Sequence, residues 1–259
     1  THLGVGAHQD DLEFMAFHGI AECFEASDRW FGGVICTDGA GSVTSGPDKA
    51  LSREDLVRQR YEEQRQAARL GKYSFVTQFG FPSPALTPPH HSPLVPALVR
   101  LLRRTHVQVV YTHSPADKHG THLRVLVAVL AALREVPKEH HPQRLLGCEM
   151  WRGLDWLPDK DKTLLDTGKN PELSSALNGI FDSQISGGKR YDLAVMGRRQ
   201  ANATLQDPYA ADALTEATIA LDLTPLIGAE PDELLPFTLR YAERFRQDLE
   251  KNLLNALAP

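Results

Sequence analysis

The sequence predicts an α/β fold, a mostly parallel sheet with helices on both faces. β-rich apolar runs alternate with amphipathic stretches through the first 150 residues, which is how strands and covering helices alternate in a parallel sheet. Two of the runs, 3–5 and 107–111, empty into short loops carrying both His and Asp, and a helix-forming stretch follows each. In open α/β sheets, ligands bind outside the carboxyl ends of the strands. At 259 residues the chain is long enough to bury a substantial core, as one large α/β domain or two small ones.

Composition narrows the function classes. With 42% hydrophobic and 24% charged residues, the chain is of ordinary globular type. A formal charge of −5 argues against nucleic acid or an anionic membrane as the main partner. No run of apolar residues is long enough to span a bilayer, and no charged and apolar leader precedes the first strand. Cys23, Cys36 and Cys148 are odd in number and widely spaced, which suits reduced, buried thiols in a cytoplasmic protein better than a disulfide framework.

The first strand breaks into Gly6-Ala7-His8-Gln9-Asp10-Asp11-Leu12-Glu13, and Phe14, Met15, Phe17 and Ile20 continue at helical spacing. Adjacent Asp10 and Asp11 in a tight loop point different ways, so one can bind a metal beside His8 while the other is kept for proton transfer. The competing reading is that one of them caps the following helix. Gly4 and Gly6 suggest a dinucleotide loop, but Gln9 occupies the third glycine position and the acidic loop would repel a pyrophosphate.

A second strand, 31–37, leads into a glycine-rich loop, 38–46, where Gly46-Pro47 reads as a turn. Residues 52–70 read as one helix with a capping-box-like start at Ser52 and a stop at Gly71. A third strand, 75–79, runs into a proline-stiffened loop at the same sheet edge. His90-His91 reads as a surface pair leading into a helix at 94–103. The fourth strand delivers Asp117-Lys118-His119-Gly120-Thr121-His122, and a helix follows over 125–133.

A fifth strand, 144–150, delivers Trp151, Arg152 and Trp156 close together. An aromatic face with planar hydrogen-bonding partners suits a sugar or ring system, which makes Trp151 and Arg152 candidate substrate contacts. In the alternative, both tryptophans plug a core edge. A helix at 192–202, a strand at 215–223 and an amphipathic helix at 236–257 close the chain. The whole reads as a single domain over 1–259, with a Rossmann-like core at 1–160. The C-terminal strand and helix appendage, 161–259, trims the site.

The segment Ala7-His8-Gln9-Asp10-Asp11-Leu12-Glu13 together with Asp117-Lys118-His119-Gly120-Thr121-His122 resembles the PIG-L/LmbE family of zinc-dependent N-deacetylases. Thr37-Asp38-Gly39-Ala40-Gly41 resembles that family's glycine loop after the second strand, and Arg60-x-x-Glu63 resembles its RxxE helix. The stretch 181–191, with Ser183-Gln184, resembles a short late segment of some members, expected to serve substrate approach or subunit contact. Beyond about residue 150 the resemblance is one of fold.

The resemblance implies a hydrolase that deacetylates an N-acetylglucosamine-type amino-sugar conjugate, with one Zn2+ per chain or another divalent metal such as Fe2+. It assigns His8, Asp11 and His122 as metal ligands and Asp10 as the base. His119 stabilises the oxyanion, and Arg60 either reaches substrate hydroxyls or forms a surface salt bridge. Glu13 would accept a hydrogen bond behind the ligands. Where many members carry Asp, this chain has Thr121, so Asp117 is the candidate to orient His119. Gln9 stands where Pro is more common, a change expected to alter loop stiffness alone. Assembly into a homo-oligomer is compatible with the resemblance. The other readings are a phosphoesterase-like metal hydrolase, which needs more carboxylates than these motifs supply, and a metal-binding relative without catalysis.

Overall fold

The computed structural model describes residues 1–41 and 51–258, so the turn expected at Gly46-Pro47 lies outside the described residues. Among the described residues, seven strands form one sheet: β1 (His2–Gly6), β2 (Phe31–Thr37), β3 (Phe75–Phe81), β4 (Val109–His113), β5 (Arg144–Cys148), β6 (Thr163–Asp166) and β7 (Ala217–Asp222). Their order is β3-β2-β1-β4-β5-β7-β6. β1 to β5 are parallel, and β7 runs antiparallel between β5 and β6. This is a Rossmann-like α/β sheet. Its strand order reverses between β1 and β4, which opens a crevice beyond their carboxyl ends.

Nine α-helices complete the description: α1 (Asp11–Met15), α2 (Phe17–Cys23), α3 (Arg53–Leu70), α4 (Leu94–Leu102), α5 (Gly120–Glu135), α6 (Pro171–Asn178), α7 (Asp182–Ile185), α8 (Tyr191–Thr204) and α9 (Leu234–Leu257), counted among the described residues. No helix among the described residues is long and apolar enough to cross a membrane.

Strand periodicity divides the core in two. Successive side chains of a strand face opposite ways, so Val34 and Cys36 of β2 join Leu3 and Val5 of β1 under α4 and α5. Phe31 and Ile35 face the other layer, with Leu12, Met15, Phe17 and Ile20. Each fully buried side chain of this size contributes about 1.5–3 kcal/mol, so the two layers clamp the strand ends that carry the site.

The helix expected after the first loop is two short helices that meet at Ala16. Ser52 caps α3 by accepting the Asp55 N–H at 3.1 Å, and the helix stops at Gly71. Three short elements absent from the sequence expectations, β6, α6 and α7, lie after residue 160. There β7 extends the sheet beside β5, and α7 with the start of α8 turns back over the strand ends.

Candidate active site

The β1–α1 loop is built tightly. Gly6 lets Asp11 close over the strand, since a Cβ there would come within 2.8 Å of the Asp11 Cβ. Asp10 takes a left-handed conformation with φ 94°. This reversal sends the two carboxylates different ways. Neither caps α1 through its side chain. Instead Asp11 Oδ2 accepts the His8 N–H at 2.7 Å, while the Asp10 carboxylate has no hydrogen-bond or ion-pair partner among the described residues and lines the cavity.

His122, in the first turn of α5, faces this loop across the β1–β4 crevice. His8 Nδ1 lies 3.2 Å from His122 Nε2 and 3.5 Å from Asp11 Oδ2. Asp11 Oδ1 lies 3.5 Å from His122 Nε2. A tetrahedral metal with arms of about 2.0–2.1 Å holds its ligand atoms about 3.4 Å apart. The two imidazole nitrogens therefore have the spacing a divalent ion requires, and Asp11 offers each of them a different carboxylate oxygen at 3.5 Å. His119 brings a ring nitrogen within 4.8 Å of donors on His8 and His122, and His113 does the same towards Asp11 and His122.

Charge states suit that role. Burial pushes the His122 pKa down to about 4, helped by the His113 imidazole and opposed by Asp11 and Asp117, so the ring is neutral at pH 7. Its Nδ1 faces Asp117 Oδ2 at 3.0 Å. A carboxylate can only accept, which places the ring proton on Nδ1 and turns the Nε2 lone pair towards the trio. Although burial works against it, the imidazoles of His122 and His113 hold Asp11 well below the usual carboxylate range. For Asp10 the balance goes the other way: burial, then the Asp11 and Glu13 carboxylates, raise its pKa well above that range. His119 is lowered by burial and by the His8 imidazole.

Several expected roles change in three dimensions. Asp117 orients His122 rather than the His119 ring, and its Oδ1 accepts the His119 backbone N–H at 2.9 Å. Arg152 is exposed and does not line the cavity, because its neighbour Trp151 takes the inward direction. The two tryptophans part company. Trp151 stacks on His119 with centroids 5.9 Å apart, while Trp156 packs edge-on against Phe245 of α9. Arg60 is no surface arginine: it is 1% exposed, donates to the Gly39 carbonyl and lines the cavity.

Glu13 Oε1 accepts from Gln64 Nε2 at 2.8 Å and from the Tyr73 hydroxyl at 2.7 Å. Gln64 Oε1 in turn accepts the Asp10 N–H at 3.3 Å. Burial lifts the Glu13 pKa to about 7 against the pull of those two donors.

Gln9 does more than alter stiffness. It is fully buried, and its Nε2 donates to Gln78 Oε1 at 3.1 Å, tying the loop to β3. Gly39, at φ +71°, leaves the space that its side chain fills. Gln184 Nε2 donates to the Gln9 carbonyl at 2.6 Å, and Glu63 binds both the N–H and the hydroxyl of Ser183. Ser183 and Gln184 are thus buried braces within the chain.

His113 carries no signal in the sequence beyond ending β4. It is fully buried, its Nε2 accepts the Ala7 N–H at 3.0 Å, and its ring stacks on His122 at 3.8 Å. With that lone pair taken, His113 supports His122 rather than joining the trio. Lys189 and Tyr191 complete a cavity of about 380 Å³. They lie beyond residue 160, where only the fold brings them back over the strand ends.

The switch point of this Rossmann-like sheet holds His and Asp donors that could hold a metal ion, beside a carboxylate without a hydrogen-bond or ion-pair partner among the described residues. The family profile described as PIG-L, GlcNAc-PI de-N-acetylase, matches residues 3–133, and the chain belongs to this family. Comparison with curated proteins finds no match.

Solved structures share the architecture. The conserved protein TT1542 from Thermus thermophilus aligns with TM-score 0.68 and 20% identity, over 86% of this chain and 94% of that one. N,N'-diacetylchitobiose deacetylase from Pyrococcus horikoshii gives 0.65 and 14%, over 87% and 84%. GalB, the 4-carboxy-2-hydroxymuconate hydratase from Pseudomonas putida, gives 0.64 and 17%, over 86% and 95%. At these identities the likeness establishes the fold.

Proposed function

We propose that this protein is a zinc-dependent N-deacetylase that removes the acetyl group from an N-acetylated amino-sugar conjugate. One observation carries the reading: His8 Nδ1 and His122 Nε2 stand 3.2 Å apart, each 3.5 Å from one of the two Asp11 oxygens, and the Asp10 carboxylate shares their cavity. Family membership and the deacetylase among the structural relatives support it. The same imidazole and carboxylate donors also suit Fe2+. Three free, buried cysteines favour a reducing, cytoplasmic setting.

When bound, the divalent ion supplies Lewis-acid chemistry, polarising a carbonyl oxygen and acidifying water. The chain's own residues do the rest. His8, Asp11 and His122 would hold the ion, with Asp117 keeping the His122 Nε2 lone pair turned towards it. Asp10 takes the proton of the attacking water on a carboxylate oxygen. His119 faces the same cavity, where in its protonated form it stabilises the oxyanion and hands that proton to the departing nitrogen. Arg60 and Trp151 bind the sugar. Residues 161–259 act with the 1–160 core as one unit and trim the cavity through Gln184, Lys189 and Tyr191.

The test is primary-amine release by zinc-loaded protein from a panel of N-acetylglucosamine conjugates. Asp10→Ala should keep stoichiometric zinc and lose about 10²–10⁴-fold in turnover. Full activity in that variant would refute the assigned base. Phosphate release from phosphoester substrates without amine release would favour a phosphoesterase, and bound zinc with no turnover a binding relative.

A further inference from the structure

Beside the metal cavity lies a second chamber of about 190 Å³, between the end of β5 and α8. Phe14, Met150, Trp151, Tyr191, Ala194 and Val195 form its apolar walls. Met150, Trp151 and Tyr191 also line the metal cavity, so the two spaces share a wall. That wall is the Trp151–Tyr191 pair, packed edge to face with centroids 6.0 Å apart at 85°. We propose that this chamber binds an apolar group carried by the amide substrate, an aromatic ring or an alkyl chain of about six carbons. The proposal rests on the deacetylase reading and gives it a substrate class, an amphiphilic amide.

Most polar atoms of the charged side chains around the chamber are already committed, Arg199 Nε being the buried exception. Glu149 Oε1 accepts from the Ile219 N–H at 2.9 Å and from Asn202, and its Oε2 accepts the Leu154 N–H at 3.1 Å. Arg199 donates to Ser174 Oγ at 2.6 Å and to the carbonyls of Glu13 and Phe14 at 2.7 and 3.0 Å. Arg198 donates to the Met150 carbonyl. A polar guest would give up its hydration for groups that are already bonded, whereas an apolar guest gains by leaving water.

Size restricts the guest further. An apolar cavity of about 150 Å³ admits benzene, so this one takes a single ring or a short chain and excludes a helix or strand of a partner protein. Across the shared wall the metal cavity is charged: Asp10, Asp11 and Arg60 line it, and Lys189 Nζ stands 5.4 Å from the Trp151 ring. The polar, sugar-like part of the substrate belongs on that side and the apolar part on the other.

The experiment measures kcat/KM for two series: N-acetylglucosaminides with methyl to hexyl aglycones, and methyl glucosaminides with acetyl to octanoyl amides. In one series kcat/KM should rise about fourfold per methylene, the value of about 0.8 kcal/mol per buried CH2, until the chamber is full. Which series rises identifies whether the aglycone or the acyl side supplies the group. Ala194 is exposed on α8, so Ala194→Phe fills the chamber without touching the core. In that variant the ratio of long-chain to short-chain kcat/KM should fall towards one.

Calorimetric titration with hexyl β-D-glucoside, which has no amide, tests the chamber independently of catalysis. Wild-type protein should bind it at least tenfold more tightly than Ala194→Phe. Flat kcat/KM in both series, or equal binding of the glucoside by the two proteins, overturns the proposal. If no amide is cleaved, the deacetylase reading fails while the titration still decides the chamber.

Discussion

Asp117→Asn is the substitution that probes the proposed metal centre most directly. Asp117 Oδ2 faces His122 Nδ1 at 3.0 Å and also the Trp151 N–H at 3.4 Å, while Oδ1 accepts the His119 N–H at 2.9 Å. All three partners are donors, and a carboxylate satisfies them all. An amide of the same shape has one oxygen and one NH2. With the NH2 towards His122, the ring must move its proton to Nε2 and lose the lone pair aimed at the trio. With the oxygen there, the NH2 meets the His119 N–H and loosens the start of α5.

Either orientation weakens the metal site. Loss of such an orienting partner lowers metal affinity about 10- to 100-fold, or about 1.4–2.7 kcal/mol. The assay is competitive titration of zinc against a chromophoric chelator at pH 7, with thermal unfolding of the metal-free proteins as the control for folding. Unchanged zinc affinity in a folded variant would refute both the tautomer assigned to His122 and its place in the trio.

Two further outcomes follow from the packing. Gln9→Ala removes the tie between the β1–α1 loop and β3 and leaves Gln78 Oε1 without that donor, so stability should fall by about 1–3 kcal/mol. A urea midpoint equal to that of the wild type would show that Gln9 braces nothing. Glu149 carries the pH prediction. Burial raises its folded pKa above the usual 4.5, although the N–H groups of Ile219 and Leu154 pull it down. The folded state therefore binds the proton more tightly than the unfolded chain. Its contribution is fully present below pH 4.5 and disappears as pH rises through the folded pKa. Glu149→Gln should flatten that part of the stability profile, and parallel wild-type and variant curves from about pH 4 to 8 would contradict it.

The parts legible in the sequence are those with a local cause. Alternating periodicities marked β1 to β5 and the long helices, because burial on one face imposes its period on each element separately. The residues of both strand-end loops stood out because His and Asp in a tight turn have little packing use. By contrast β6 is four residues long, and only pairing with β7 makes it a strand.

The motif resemblance nominated His8, Asp11 and His122, whereas position after β5 was insufficient for Arg152. A one-residue difference in direction sends Trp151 inward and Arg152 to solvent, and no local pattern encodes which of the two the cavity receives. Trp156 likewise becomes core only because α9, some ninety residues later, brings Phe245 to it.

The sequence by itself determined the class of fold, the residue types available for metal chemistry and the strand ends that carry them, since each follows from periodicity and side-chain chemistry within a few neighbouring residues. Tertiary structure alone decided that Asp117 serves His122, that His113 backs it, that Gln9 and Gln184 brace the loop and that an apolar chamber adjoins the metal cavity. Each of these depends on distances of about 3 to 6 Å between atoms on separate elements. Such distances are set by sheet register and helix packing across the whole chain, which no short stretch of sequence contains.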